Sequence, residues 1–335
     1  MIETGIPTML IVLIILSVIF DFLNGFHDSS NIVATVIFSN ALSPRIALFL
    51  AAISHTIAPF LFGVAVATTI GDELLDMSAV DLNVIIAAVV SAIAWNLVTW
   101  YFGIPSSSSH ALLGGLLGAA LIQSRTFAII KIPGLMKIVL ALFLSPIAGF
   151  FIAFIVMKIT LFLVRDATPN VSNLFRRGQV FTLIGLSLSH GTNDAQKTMG
   201  LIAMGLLISS QTSTFQVPPW VVLISAVSIG LGTSFGGWRL IRTLGGKMYR
   251  IRPIHGFTSQ ISGALVILSA ALLGGPVSTT QVMSSSILGV GAGERINKVR
   301  WNILGNMTLT WLITIPVNAV VAALLYLILN QVYPA

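Results

Sequence analysis

Runs of apolar residues long enough to cross a lipid bilayer recur along the whole chain. Residues 82–102, 138–164 and 301–333 are examples, and a spanning helix needs roughly 20 predominantly apolar residues. Of the 335 residues, 56% are hydrophobic and only 8% are charged, a balance that soluble domains do not show. We predict an all-α polytopic protein of the cell membrane, with about 10–12 segments in the lipid bilayer, some of them discontinuous helices or re-entrant hairpins.

The placement of charge predicts the topology. The net charge of +7 comes from Lys and Arg in short loops between apolar runs, which is the positive-inside pattern, so we predict no nucleic-acid partner. The loop at 71–81 carries four acidic residues and no basic one. This loop is therefore expected outside the cell, which also places the N-terminus outside.

An internal duplication organises the chain. Residues 24–31 match residues 190–197 at a shift of 166, and residues 105–109 match 276–280 at a shift of 171. Two nearly equal shifts indicate a duplicated unit of about 165–170 residues, as in transporters built from internal repeats.

The duplication divides the chain into two halves. We predict a first repeat at 1–164, a cytoplasmic linker at 165–178 and a second repeat at 179–335. Because the first repeat starts outside and the second inside, the two have inverted topology, which is typical of secondary transporters. A homodimer is a further expectation, because many secondary transporters are dimers, although no feature of the sequence determines the oligomeric state.

Each repeat contains a proline followed by hydroxyl side chains. Proline lacks an N–H group and restricts the residue before it, so the helix from Leu82 is expected to end near Gly103. A Ser or Thr then caps a new helix that begins near His110 or Gln281. Free backbone N–H groups and the positive end of the helix dipole favour an anion there. The alternative is that these hydroxyls only join helices through hydrogen bonds.

Asp28 and Asp194 are matching carboxylates inside apolar segments, where ionisable groups usually have a function. They repel an anion unless a cation lies between. We therefore predict a Na⁺ site at Asp28 and Asp194, with the amide oxygens of Asn24 and Asn193 and carbonyl groups from unwound backbone at Gly25 and its counterpart. Uptake of H⁺ by the carboxylates, or a purely structural polar pair, are the alternatives.

Three further side chains are candidates for a role in coupling. Lys197 follows Asp194 by three residues on the same helix face, where it neutralises the carboxylate, contacts the anion or forms a structural pair. His110 and His190 are candidates for protonation in a proton-coupled mechanism. The remaining histidines have no predicted role.

Residues 190–200 closely resemble the signature of the inorganic phosphate transporter (PiT) family. Residues 24–31 resemble its first-half counterpart, and residues 105–110 and 276–281 are similar to its paired Pro-x-Ser-Thr-Thr segments. The resemblance implies cation-coupled uptake of inorganic phosphate at a site shared by both repeats. Phe26-His27 and Gln281 depart from the family pattern.

We therefore predict a symporter that imports phosphate with Na⁺, by alternating access at a site between the repeats. No acid, base and nucleophile converge outside the repeats, so we predict neither an enzyme nor a cofactor. The alternatives are a proton-coupled symporter, a carrier of metal–phosphate complexes, a sulfate transporter and a passive anion channel. The predicted phosphate ligands are Ser106, Ser107, Ser108, Ser109, Ser278, Thr279, Thr280, Gln196 and Gln281.

Overall fold

A computed structural model describes residues 7–168, 170–246 and 251–333. Residues 1–6, which carry the predicted outside N-terminus, lie beyond these ranges. The described chain forms twelve α-helices joined by turns and short 3₁₀ segments. The helices are α1 Thr8–Phe38, α2 Pro44–Ile57, α3 Ala65–Gly71, α4 Leu82–Phe102, α5 Ser108–Ser124, α6 Ile132–Leu163, α7 Val171–Ile208, α8 Pro219–Phe235, α9 Trp238–Gly246, α10 Pro253–Leu272, α11 Thr279–Arg295 and α12 Trp301–Val332.

The prediction of a polytopic all-helical membrane protein is confirmed. Five of the described helices are long and apolar enough to cross a membrane, and up to seven spans result if each bent helix pair counts as one. The 17-residue helices α5 and α11 and the polar helix α7 lie among them, largely buried. The run at 138–164 lies in one helix, because α6 is continuous through Pro146. The predicted linker at 165–178 includes the start of α7.

Two apolar runs of the sequence form bent helix pairs instead of straight spans. The run at 46–70 divides into α2 with a 3₁₀ turn and α3, which meet at a bend of 73°, and the run at 220–240 divides into α8 and α9 at 68°. Gly63 and Gly236 lie at the breaks with φ of +76° and +71°, a backbone conformation that only glycine adopts without strain. The matching bends make α1–α6 and α7–α12 alike in element order, while the inverted orientation of the two halves stays a prediction.

The predicted interruptions at the two prolines are present. Helix α4 ends before Gly103, whose φ is +67°, and Ser107 caps α5 by accepting a hydrogen bond from the His110 N–H at 3.2 Å. In the second half, Ser278 caps α11 by accepting from the Gln281 N–H at 3.4 Å. Each half therefore contains a helix that begins inside the protein.

The predicted unwound backbone at Gly25 and Gly191 is wrong, because α1 and α7 are continuous helices. A Cβ atom on Gly25 would lie 2.2 Å from the carbonyl oxygen of Ile229 on α8. At Gly191 it would lie 2.8 Å from Ala58 Cβ. These glycines allow neighbouring helices to approach closely, and continuous helices keep the backbone hydrogen bonds satisfied within the membrane.

Candidate functional site

A polar stripe runs along one face of α1. Its members recur at spacings of four and three residues, which keeps them on the same side of a helix. Each is at most 1% exposed, although most of the helix is apolar. The stripe consists of Ser17, Asp21, Asn24, Asp28, Asn31 and Thr35. On α7, the matching positions of the repeat include His190, Asp194 and Lys197, which are also buried.

Asp28 lies where α1 meets the start of α11. Its Oδ1 accepts hydrogen bonds from the Thr280 hydroxyl and the Asn31 amide, both at 3.0 Å. Its Oδ2 accepts from the Thr279 hydroxyl at 3.2 Å, and the Nδ1 atom of His27 lies 3.1 Å from Oδ1. Predicted cation and anion ligands are therefore in direct contact at this carboxylate.

Asp194 occupies the equivalent position on α7 and is tied to the same helix start. The Thr279 hydroxyl lies 3.3 Å from its Oδ2 atom and thus within reach of both carboxylates. The Lys197 ammonium donates to Asp194 Oδ1 at 2.6 Å, and His190 Nδ1 lies 3.3 Å from Oδ2. Asp28 and Asp194 form one acidic centre, in which the ammonium group supplies a positive charge.

The starts of α5 and α11 also meet. The Ser109 hydroxyl donates to the carbonyl oxygen of Val277 at 2.8 Å, and the Gln281 amide lies 3.2 Å from His110 Nδ1. His110 and Gln281 are matching positions at the shift of 171, so the repeat brings its own equivalent residues into contact. The positive ends of two helix dipoles thereby lie beside the acidic centre.

Several predicted phosphate ligands form hydrogen bonds within the helix breaks and not with the acidic centre. Ser106 shares a hydrogen bond of 2.7 Å with Thr99, and the hydroxyls of Ser107 and Ser278 cap their helices. Ser108 is buried at the first position of α5. The three hydrogen bonds of Ser106, Ser107 and Ser278 order the breaks that create the helix starts. The roles of all four serines as phosphate ligands stay predictions.

The predicted amide ligands differ in their surroundings. Gln196 Oε1 accepts from the backbone N–H groups of Val66 and Ala67, at 2.7 and 3.2 Å, and so caps α3. Asn193 donates to the carbonyl oxygen of Gly275 at 3.2 Å, which leaves its Oδ1 without a hydrogen-bond partner in the described structure. Neither amide atom of the buried Asn24 has one either. Oxygens of Asn24 and Asn193 are thus available as ligands.

Three residues near the centre were not predicted. His27 contacts Asp28, and Asn31 joins Asp28 to Thr280 at 3.0 Å on each side. His55 stacks on His190 with ring centroids 6.0 Å apart. Asn31 has a signal in the sequence, because it matches Lys197 in the repeat, whereas the position of His55 depends on how α2 packs.

A known family model matches most of the length of this chain. A model of the phosphate transporter family matches residues 24–322, which include both carboxylates and both helix starts. The chain belongs to the phosphate transporter family. Its members are membrane transporters, not enzymes, so the predictions of the family, of phosphate transport and of a non-enzymatic function are confirmed at that level.

Curated members of the phosphate transporter family resemble this chain over nearly its whole length. A probable low-affinity inorganic phosphate transporter of Bacillus subtilis (strain 168) is 45% identical over 327 residues, which cover 96% of this chain and 98% of the relative. The protein of the same description from Rhizobium meliloti (strain 1021) is 45% identical over 320 residues, or 95% and 96% of the two chains.

A solved transporter has the same fold as this family member. The structure described as the sodium-dependent phosphate transporter superposes with a TM-score of 0.88 over 97% of this chain and 100% of that chain, at 24% identity. This likeness establishes the arrangement of helices.

The site of this phosphate transporter family member is closed. A small cavity beside Lys197, Ser109 and Pro276 measures about 10 Å³, which is room for about one water molecule. The side chains of the acidic centre are at most 2% exposed. Access of any solute to the acidic centre therefore requires movement of the surrounding helices.

Proposed function

We propose that the protein imports inorganic phosphate together with a cation, most simply Na⁺, by alternating access at the acidic centre. The coupling ion is held at the carboxylate pair Asp28 and Asp194, and phosphate at the starts of α5 and α11. The observation that carries the proposal is the contact of the Thr279 hydroxyl, at the start of α11, with both carboxylates at 3.2 and 3.3 Å.

The helix starts and the carboxylates have opposite preferences for charge, and this links binding of the anion to binding of the cation. Two helix starts favour an anion, whereas two buried carboxylates repel it by Coulomb interaction in a medium of low dielectric constant. A cation at the carboxylates removes the repulsion, so binding of the cation and the anion is linked. This linkage is the thermodynamic requirement of a symporter.

The donor and acceptor inventory favours phosphate over sulfate. The monohydrogen form of phosphate carries a proton that a carboxylate oxygen or a serine oxygen accepts, and sulfate has no such donor. A site that leaves its buried acceptor unpaired with sulfate discriminates against it. Excess sulfate is therefore expected to compete weakly with phosphate uptake.

The test is uptake of labelled phosphate by purified protein in liposomes, under an inward Na⁺ gradient, an equal K⁺ gradient or a pH gradient alone. Uptake that depends on Na⁺ is expected, and uptake driven by the pH gradient alone would assign the coupling to protons. Uptake that depends on neither the Na⁺ gradient nor the pH gradient would contradict symport and favour a passive pore.

Asp28→Asn is expected to reduce uptake to the background of empty liposomes, because it removes the charge that requires the cation. The matched control is Asp166→Asn, the same change at an exposed carboxylate between α6 and α7, which should transport normally. Near-normal uptake by folded Asp28→Asn would contradict the assignment of the site.

A further inference from the structure

Lys197 is a buried ammonium group at the centre of the protein. Its side chain and that of Asp194 are both 0% exposed, and the Nζ–Oδ1 distance is 2.6 Å. Transfer of an ammonium ion from water to such a place is costly, even when it is paired with a carboxylate. Replacement of both members of a buried ion pair by hydrophobic side chains is often neutral or stabilising, so the presence of the pair requires an explanation.

The first repeat has a neutral residue at the position that corresponds to Lys197. A shift of 166 aligns Lys197 with Asn31, and each residue contacts the carboxylate three positions earlier in its helix. The Asn31 amide is a neutral donor, 3.0 Å from Asp28 Oδ1. The second half thus places a full positive charge where the first half places none.

The two carboxylates share two other kinds of neighbour. The Thr279 hydroxyl lies 3.2 Å from Asp28 Oδ2 and 3.3 Å from Asp194 Oδ2, and each carboxylate has a histidine Nδ1 atom within 3.3 Å. Asp28 also accepts from the Thr280 hydroxyl. Two equivalent carboxylates beside an anion site lead to the expectation of two exchangeable cations. At Asp194, however, the Oδ1 atom is already bound to an ammonium group.

We infer that Lys197 is a tethered cation that permanently takes the place of one coupling ion. Asp28 is then the carboxylate that takes the exchangeable ion, and each phosphate travels with one cation fewer than the repeat implies. The inference rests on the proposed cation symport. Lys197 and Ser109 line the same small cavity, so the ammonium charge lies beside the helix start that favours an anion.

Lys197→Asn tests the inference by copying the residue found at position 31. The vacated place at Asp194 is expected to accept Na⁺, so that phosphate uptake depends more steeply on Na⁺ concentration and one further sodium ion enters per phosphate. The measurement is the ratio of labelled Na⁺ to labelled phosphate taken up by liposomes. Lys137→Asn, the same change at the half-exposed pair with Glu73, should keep the ratio of the unmodified protein.

A stability measurement separates this inference from the proposed function. Na⁺ is expected to raise the melting temperature of Lys197→Asn, relative to choline at equal ionic strength, by more than it raises that of the unmodified protein, because an added site stabilises the folded state. This result does not require transport. Folded Lys197→Asn with an unchanged ion ratio and no added Na⁺ stabilisation would overturn the inference.

If Lys197→Asn is not recovered in folded form, a double variant tests the same inference. Asp194→Asn with Lys197→Met removes both charges of the pair, so neither partner is left as an uncompensated charge. If Lys197 is the cation at Asp194, the ratio of Na⁺ to phosphate should stay that of the unmodified protein, whatever the rate. A ratio lower by one sodium ion would show that Asp194 binds an exchangeable ion and would overturn the inference.

Discussion

At the scale of single residues, the two matching carboxylates differ in the charge of their neighbours. Asp28 accepts from neutral hydroxyl and amide donors, whereas Asp194 accepts from the Lys197 ammonium group. Loss of one member of a buried ion pair leaves the other charge uncompensated, and this usually costs more than loss of neutral hydrogen bonds. The duplication therefore keeps an aspartate at both positions, but only Asp194 belongs to a buried ion pair with a lysine.

This difference predicts unequal effects of the same substitution on stability. Asp194→Asn should lower the free energy of unfolding by about 3–5 kcal/mol, because Lys197 loses its partner. Asp28→Asn should lower it by about 1–3 kcal/mol. Thermal or denaturant unfolding of the purified proteins in detergent checks the order. Equal losses would mean that the ion pair adds no more than the neutral bonds.

At the scale of helices, contacts between the halves depend on small residues. A Cβ atom on Gly118 of α5 would lie 2.1 Å from the carbonyl oxygen of Ala319 on α12. On Gly289 of α11 it would lie 2.2 Å from the carbonyl oxygen of Phe150 on α6. Each half-helix thus packs closely on the last long helix of the other repeat, as small residues allow in membranes.

Gly118→Ala should therefore destabilise the protein by about 1–3 kcal/mol, because the backbone of α12 must move to make room. The matched control is Gly185→Ala on α7, where a Cβ atom meets nothing within 4 Å among the described residues. That change should be neutral or stabilising by about 0.5–1 kcal/mol, since alanine favours a helix. Comparison of melting temperatures tests both, and equal shifts would contradict the packing argument.

At the scale of the whole molecule, the polar stripe of α1 extends from the acidic centre toward both ends of the helix. Ser17 and Thr35 lie 18 residues apart at the ends of the stripe, or about 27 Å along the helix axis. This separation approaches the thickness of the hydrocarbon core. A transporter that opens alternately should expose the two ends in turn.

Single-cysteine variants test this directly, since the natural chain contains no cysteine. We expect Ser17→Cys and Thr35→Cys to react with a membrane-impermeant thiol reagent from opposite sides of the membrane. Saturating phosphate with the coupling ion should slow both reactions, as the closed form accumulates. Reaction of both cysteines from one side at the same rate would indicate a continuous pore.

The sequence by itself determined the class of protein, the duplication and the helix breaks at the two prolines, because long apolar runs, matched spacings and prolines act locally. The bends at Gly63 and Gly236 were found only in the structure. It also identified the two carboxylates, since a charge within an apolar run has few explanations. The tertiary structure decided that α1 and α7 stay helical at Gly25 and Gly191, because these glycines make room for neighbouring helices. It likewise decided that Thr279 reaches both carboxylates, since that contact depends on packing between residues far apart in the chain.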